Sequence, residues 1–393
     1  MMNFLRGKTA TPPAQQGLDH KARAYRPVGV SGGGIAWSAR DTGSLTRSGF
    51  TGNPVGFRAV KLIAEAAAAL PLVLQDASRR YDAHPVLDAL ARPNAGQGRA
   101  ELLEALYGQI LLSGNGYLEA AMDAHDALAL HVLRSDRVVV VPGADGWPVA
   151  YDYVVGSKTH RFNVGDVSPI CHIKNFHPLD DHYGLSPMQA AATALDVHNA
   201  ASRWSKGLLD NAARPSGAIV YQTPDGAGTM TTDQYDRLVH EMETHHQGAR
   251  NAGRPMLLEG GLDWKPMGFS PSDMEFQKTK DAAAREIATA FGVPPMLLGI
   301  PGDATYANYA EANRAFYRLT VLPLATRVTA ALAKFLAQFH DDQVTLKPDL
   351  DGIPALAAER DQQWKRVGDA AFLSDAEKRS LLGLPALSLE DTA

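Results

Sequence analysis

Apolar positions along the chain recur at two spacings, and these spacings predict where its helices and strands lie. A spacing of three to four residues predicts helices over about 53–70, 100–112, 186–211, 231–246, 272–292 and 308–340, with shorter ones near 354–370 and 374–382. Apolar runs bounded by Gly, Pro and Asp predict strands at LPLVLQ, YLEAAM and GAIVYQ, through 128–173, and in a hairpin of PMLLE with DWKPM. This mixture predicts an α+β fold.

The ends of these helices are marked by residues that begin, end or bend a helix. Ser186 is a predicted N-cap, and the tetrapeptides that start at Ser272 and Ser374 have the spacing of a capping box. Gly292 predicts the end of the helix that begins near 272. Pro323 lies inside the longest helix and predicts a kink there.

Composition excludes two classes of protein. With 45 % hydrophobic residues the chain can bury a sizeable core, which excludes wholesale disorder. Its 38 basic and 43 acidic side chains give a net charge of −5, which argues against a sequence-specific nucleic-acid binder. A channel that DNA slides through is a different case, because a strongly basic lining would hold the duplex tightly.

The single cysteine, Cys171, excludes an intrachain disulfide and is expected to be a buried side chain in a reducing cytosol. The first sixteen residues lack the apolar core of a secretory signal. The apolar stretch IAEAAAALPLVL is interrupted by Glu65 and Pro71 and is shorter than the roughly 20 residues that span a bilayer. These features predict a cytosolic chain with no membrane partner.

Three segments resemble catalytic or ligand sites only superficially. VGVSGGGIAW, within a Gly-, Pro- and Ser-rich region, lacks the Lys-Ser/Thr pair of a phosphate-binding loop. His240 and His245 are five residues apart, about 140° around a helix, and cannot face one metal. Asp180, Asp181 and His182 are neighbours on an expected loop and point in different directions. We therefore predict no catalytic residue, no metal and no cofactor.

Segments along most of the chain resemble the phage portal protein family, in the family's order. They include GFRAVKLIAEAAAALPLVLQ, LRSDRVVVV, HYGLSPMQAAATALDVHNAASRW, LLDNAARPSGAIVY, REIATAFGVPPMLLG, TYANYAEANRAFYRLTVLPL and FLSDAEKRSLLGLPAL. The resemblance covers about residues 40–390. The chain's size is similar to that of portals from small prophages and gene transfer agents.

This resemblance implies a portal-protein fold with a mixed α/β wing, two antiparallel stem helices, an α/β clip, a long kinked helix and a short helical crown. The implied boundaries are a mobile N-terminal arm at 1–50, wing 51–183, first stem helix 184–212, clip 213–271, second stem helix 272–296, tunnel loop 297–307, long wing helix 308–349 and crown 350–393. The aromatic side chains on these helices are expected to pack in the core. Stacking on DNA bases is not expected, because a duplex keeps its bases inside.

The resemblance also implies a function, which is a dodecameric ring at one capsid vertex through which double-stranded DNA passes during packaging and ejection, independently of sequence. The expected partners are further copies of the chain, the large terminase, a head-completion or tail adaptor protein and the major capsid protein. The ring is expected in a virion or phage-like particle assembled in the bacterial cytoplasm. Two alternatives are a capsid or tail adaptor ring without DNA contact and a hydrolase with a hidden site.

Two groups of residues are the candidate sites. The tunnel loop, which is expected to point at DNA, has stiff and flexible points in succession and a single charge; its residues are Gly299, Pro301, Gly302, Asp303, Ala304, Thr305 and Tyr306. The clip, which has a mixed charge suited to changing partners, offers Arg237, His240, Arg250 and Arg254 for docking.

Overall fold

The computed structural model describes residues 39–122, 128–210, 217–221, 231, 233–234, 236–237, 240, 262–266, 271–302, 306–340 and 343–386. Within these ranges the α-helices are α1 (Thr42–Thr46), α2 (Pro54–Ala68), α3 (Pro85–Ala91), α4 (Arg99–Ser113), α5 (Pro187–Ala190), α6 (Ala192–Asp210), α7 (Pro271–Ala290), α8 (Tyr306–Phe316), α9 (Leu322–His340), α10 (Ala357–Gly368) and α11 (Asp375–Leu382). The strands are β1 (Leu72–Gln75), β2 (Arg80–Tyr81), β3 (Asn115–Met122), β4 (Leu128–Leu133), β5 (Val138–Pro142), β6 (Pro148–Val155), β7 (Lys158–Asn163), β8 (Ile170–Lys174), β9 (Gly217–Tyr221), β10 (Leu262–Pro266) and β11 (Thr345–Pro348).

Helical structure begins earlier than the sequence predicts. The carboxylate of Asp41 accepts the backbone N–H of Ser44 at 2.9 Å and caps α1, which continues into a π-helical turn at Arg47–Thr51. Leu45 is buried in the main core. The prediction that the first helix begins near residue 53 is therefore wrong, since a five-residue helix is too short to show a hydrophobic period.

The main core lies between α2 and α4 and extends onto the long helix. The buried faces of α2 and α4 include Val60 and Ile63 on the first helix and Leu103, Leu106 and Ile110 on the second. These are the positions that the three-to-four-residue spacing predicts to face inward. Both helices are thus confirmed, and they fix the frame on which the later elements pack.

The strands form small antiparallel sheets. One has the order β4-β3-β8 and another the order β5-β6-β7, so the strand-rich stretch predicted over 128–173 is confirmed. A third sheet has the order β11-β1-β2, in which Leu72 lies opposite Pro348. That pairing joins segments more than 270 positions apart in the chain, which no local pattern in the sequence indicates.

The helix predicted from residue 186 has a break near its start. The Ser186 hydroxyl accepts the backbone N–H of Gln189 at 2.9 Å, which confirms the N-cap, but α5 ends at Ala190 and α6 begins at Ala192. α7 begins at Pro271, one residue before the predicted N-cap. Gly292 follows α7 with φ of 66°, the left-handed conformation expected of a helix-ending glycine.

The long helical segment is irregular beside its proline. α8 and α9 are joined by a π-helical turn at Tyr317–Val321, immediately before Pro323, which has no N–H to donate into the helix. By length and composition alone, residues 307–340 include a helix able to cross a membrane. Phe316, Val321 and Leu332 nevertheless lie in the main core, and buried side chains of this kind are typical of the core helix of a globular protein.

The segment that leads from β11 into α10 packs onto the main core. Ile353 and Leu356 are buried within it, and the backbone N–H of Ala386 donates to the carbonyl of Ala77 at 3.1 Å. The predicted capping box at Ser374 is confirmed, because its hydroxyl accepts the N–H of Glu377 while that carboxylate accepts the N–H of Ser374.

Candidate nucleic-acid interface

The two predicted stem helices, α6 and α7, lie side by side and run in opposite directions. α6 leads towards β9 and α7 follows β10, and these strands pair antiparallel with Gly217 opposite Pro266. Near the same end, the rings of Trp204 and Phe276 stack with centroids 4.3 Å apart and planes 22° apart. The end of the first helix therefore lies beside the start of the second, which is an antiparallel pair.

Small side chains line the contact between these helices and their neighbours. Ala194 and Ala201 on α6, and Ala283, Ala284 and Ala288 on α7, are all buried. Helix axes approach more closely where the contacting side chains are short. The Ala-rich composition of this region thus has a packing role.

A buried polar network fastens α6 to the start of α2. The side-chain oxygen of Asn53 accepts two backbone N–H groups of the first turn of α2, at 3.0 and 2.9 Å. Its amide nitrogen contacts His198 Nδ1 at 3.1 Å and donates to Asn199 Oδ1 at 2.9 Å. The Asn199 amide in turn donates to the carbonyl of Ser48 at 2.8 Å.

This network fixes the protonation of His198. Because the oxygen of Asn53 is occupied by backbone donors, its nitrogen must face His198, and Nδ1 must accept. The ring is therefore neutral, with its proton on Nε2. Burial lowers the pKa of His198, and the positive charge of Lys280 lowers it further, while Asp281 acts in the opposite direction.

The base of the predicted tunnel loop is held against α7. Gly299 has φ of 74° and ends a short 3-10 turn at Pro295–Leu298. Ile300, next in the chain, is 9 % exposed and packs against small side chains of α7. The guanidinium of Arg285 donates to the carbonyl of Pro301 at 2.7 Å. We name Gly299–Gly302 the loop base.

The remaining predicted loop residues divide into two groups. Asp303, Ala304 and Thr305 lie outside the described residues. Tyr306, placed in the loop by the sequence, is the first residue of α8. The segment between the 3-10 turn and α8 is therefore shorter than the predicted loop at 297–307, because Tyr306 and Ala307 are already helical.

The predicted clip is described only in part. β9 confirms the strand GAIVYQ, and β10 confirms DWKPM, but the described partner of β10 is β9, and PMLLE lies outside the described residues. Arg237 and His240 are exposed and lie on helical backbone, within the helix predicted over 231–246. Arg250 and Arg254 lie outside the described residues.

The superficial metal motifs form no ligand cluster within the described ranges. No three His, Cys, Asp or Glu side chains come together there in a group that could hold a metal ion. A carboxylate oxygen of Asp180 accepts the backbone N–H groups of His182 and Tyr183 at 2.8 and 2.9 Å, as in a capped turn. Cys171 is buried, as predicted, and burial raises the pKa of its thiol to about 12.

Sequence reasoning missed a close backbone junction between the segment after α4 and the segment before α5, at the predicted boundary of wing and stem. A Cβ atom on Gly114 would lie 2.2 Å from the carbonyl oxygen of Gly184, so only glycine fits there. Beside it, the Asn115 side-chain oxygen lies 3.0 Å from His172 Nε2 and accepts the N–H of Gly184 at 2.8 Å. The segment SGNG at 113–116 contains two glycines, which are a signal of close backbone approach.

Comparison with protein families supplies one match across most of the chain. The family model described as phage portal protein matches residues 54–383. A probable portal protein of Streptomyces phage phiC31 is 28 % identical over 375 residues, which cover 90 % of this chain and 78 % of that protein.

Solved structures give closer similarity. A chain in the neck of an empty GTA particle, computed with C6 symmetry, is 74 % identical with a TM-score of 0.76, covering 90 % of this chain and 96 % of that one. A chain in the neck of a native GTA particle, computed with C12 symmetry, is 72 % identical with a TM-score of 0.73, covering 91 % and 97 %. GTA denotes gene transfer agent.

Proposed function

Because the chain belongs to the phage portal protein family, we propose that it forms a ring at one capsid vertex through which double-stranded DNA passes during packaging and ejection. The observation that carries the proposal is its 74 % identity with a chain of a GTA particle neck, across 90 % of this protein. The ring belongs to a phage or gene transfer agent particle that assembles in the bacterial cytoplasm, and it acts without catalysis.

Twelve copies are the proposed number. The similar necks were computed with C6 and C12 symmetry, and a twelvefold ring satisfies both. One feature of the subunit also favours assembly, because residues 307–311 of α8 are all exposed, which is more than one full helical turn. A helical turn exposed on every side has no core face in its own subunit, and neighbouring copies in a ring would cover this first turn of α8.

Native mass spectrometry tests the ring. Twelve copies of a 42.1 kDa chain have a mass of about 505 kDa. We expect this species in purified protein or in extracts of assembled particles. A monomer at every concentration, together with particles that contain no ring, would contradict the proposal.

Passage of DNA is proposed to depend on a nearly uncharged loop. In the sequence of 297–307 the single charge is Asp303, which repels phosphate. Each Lys or Arg that contacts a phosphate releases counterions and strengthens binding, and in a ring these contributions recur in every copy. A neutral or slightly acidic loop therefore retains the duplex by shape and lets it slide.

The substitution Asp303→Lys tests this role of the loop. We expect slower packaging and ejection in assembled particles, partly restored by added salt. Asp361→Lys, an equal charge change at an exposed position of α10, is the matched control and should leave both rates unchanged. Wild-type rates for Asp303→Lys at low ionic strength would show that the loop does not meet DNA, as in an adaptor ring.

Docking of other proteins is proposed at the clip, first the large terminase and later a head-completion or tail adaptor protein, while the major capsid protein surrounds the ring. Residues 213–271 contain five basic and seven acidic side chains, a mixed charge that suits successive transient partners. Reversing Arg250 and Arg254 to Glu should block packaging or head completion while rings still form. Reversal of Lys365 and Arg366 to Glu, at exposed positions of α10, is the control. Normal DNA-filled, tailed particles from the Arg250 and Arg254 variant would contradict docking at the clip.

A further inference from the structure

The chain between α7 and α8 is fastened at two points. After α7, the carbonyl of Gly292 accepts the hydroxyl of Thr320, in the π-helical turn of the long helix, at 2.5 Å. Further along, the carbonyl of Pro301 accepts the guanidinium of Arg285 at 2.7 Å. One contact joins this connection to the long helix, and the other joins the loop base to the second stem helix.

The contact made by Arg285 differs from what the sequence predicts. Asp281 lies one helical turn before Arg285, and this spacing favours an ion pair along α7. Instead, a carboxylate oxygen of Asp281 accepts the amide of Gln277 at 3.0 Å, and Arg285 reaches across to the loop base. An arginine that bonds a backbone carbonyl sixteen residues away ties two segments together, which a pair along one helix does not.

Two contacts of different kinds therefore hold the loop base to α7. Ile300 supplies an apolar one, since it packs beside the buried Ala284 and Ala288. Arg285 supplies a polar one on the exposed surface, because its charged guanidinium donates to the carbonyl of Pro301, the residue after Ile300. The apolar contact sets where the loop base sits on α7, and the polar contact sets how its backbone is oriented.

We propose that Arg285 is a positioning residue, which makes the orientation of the loop base depend on the position of the second stem helix. This inference rests on the proposed portal function and adds to it a specific link between the stem and the DNA-facing loop. When α7 shifts against α6, the Pro301 carbonyl moves with it, and so does Gly302 at the end of the loop base. Without Arg285 the loop base keeps its apolar contact but loses its fixed orientation.

Hydrogen–deuterium exchange in the assembled wild-type protein and its variants is the direct test. The backbone N–H groups of Gly299 and Ile300 donate to the carbonyls of Met296 and Pro295, at 3.2 and 3.1 Å. In Arg285→Ala, we expect these two amides to exchange about tenfold faster, because a charge-assisted hydrogen bond no longer limits local opening. Arg285→Lys keeps a charged donor and should restore much of the protection. Arg203→Ala, at an exposed position of α6, is the matched control and should leave these amides unchanged.

A purely structural role for Arg285 predicts a different pattern. It would lower the melting temperature and raise exchange throughout α7, whereas a positioning role leaves both unchanged, because the Arg285 side chain is exposed and the core contacts remain. In assembled particles, Arg285→Ala should alter ejection rate or packaged DNA length several-fold, with rescue by Arg285→Lys.

The outcomes separate the inference from the proposed function. Unchanged exchange at Gly299 and Ile300 overturns the positioning role, whatever the particles do. Faster exchange with unchanged packaging and ejection overturns the link between stem and DNA. Wild-type particles that lack the chain would refute the portal function itself, although the exchange result, measured without DNA, would still report on Arg285.

Discussion

The network around Asn53 permits a test in which one substitution reverses the sign of a pH effect. Asn53→Asp keeps the oxygen that caps α2 and replaces the amide nitrogen with a second carboxylate oxygen. That oxygen then faces His198 Nδ1 and Asn199 Oδ1, which the wild-type nitrogen contacts at 3.1 and 2.9 Å. The amide nitrogen of Asn53 needs an unprotonated Nδ1 that accepts its hydrogen bond. The carboxylate oxygen of Asp at this position needs a protonated Nδ1 that donates one.

The size of the effect follows from the groups that lose a partner. Asn53→Ala removes the cap of α2, which costs about 1 kcal/mol. It also leaves the acceptor atoms of His198 and Asn199 without their donor, at about 1 kcal/mol or more each in a buried site. We expect the alanine variant to lose about 3 kcal/mol of unfolding free energy at neutral pH, and the aspartate variant to lose less because its cap remains.

The pH dependence separates the two states of the ring. In the wild type the folded-state pKa of His198 is lowered from its ordinary 6.5, so its contribution is present above that pH and is lost as pH falls. In Asn53→Asp the carboxylate raises the pKa of His198. That contribution is fully present below pH 6.5 and is lost as pH rises through the raised value.

Urea unfolding at pH 5.5, 6.5 and 7.5, at fixed protein concentration, measures the difference between Asn53→Asp and wild type. The variant should gain relative stability as pH falls, by at most about 1.4 kcal/mol per pH unit for one proton. Adding His198→Gln to both proteins should abolish the trend. A stability deficit of the variant relative to wild type that is flat across this range, or that grows as pH falls, would refute the assigned hydrogen bonds.

Three further tests use substitutions that remove or crowd a defined contact. Gly114→Ala should cost about 3 kcal/mol in urea unfolding, because the new Cβ meets backbone at 2.2 Å and φ is 79°. Gly108→Ala, with open space around it inside α4, should stabilise by up to about 1 kcal/mol, and equal effects of the two substitutions would contradict this reasoning. Ser374→Ala should cost about 1 kcal/mol and raise amide exchange at the start of α11, and unchanged exchange would count against the cap. A double-mutant cycle of Trp204 and Phe276 to Ala should give about 1 kcal/mol of coupling, and zero coupling would show that the ring stack contributes nothing.

Local signals in the sequence determined most helix positions and the family. The apolar spacing of α2 and α4, the N-cap Ser186 and the capping box at Ser374 are each encoded within a few residues, so they can be recognised without a structure. Family membership was also recognisable, because motifs in a fixed order depend on the sequence alone. The five-residue helix α1 was missed since it is shorter than two turns.

Contacts between distant segments were decided only by the tertiary structure. The pairing of Leu72–Gln75 with Thr345–Pro348, the network of Asn53 with His198, and the choice of Pro301 over Asp281 as the partner of Arg285 all join residues whose proximity depends on packing. The sequence shows which partners a side chain could reach along its own helix. It does not show a partner that packing brings close from another segment, as it brings Pro301 to Arg285. The sequence therefore determined which elements form and which family they belong to, while the packing of those elements decided which side chains hold the loop base and the stem.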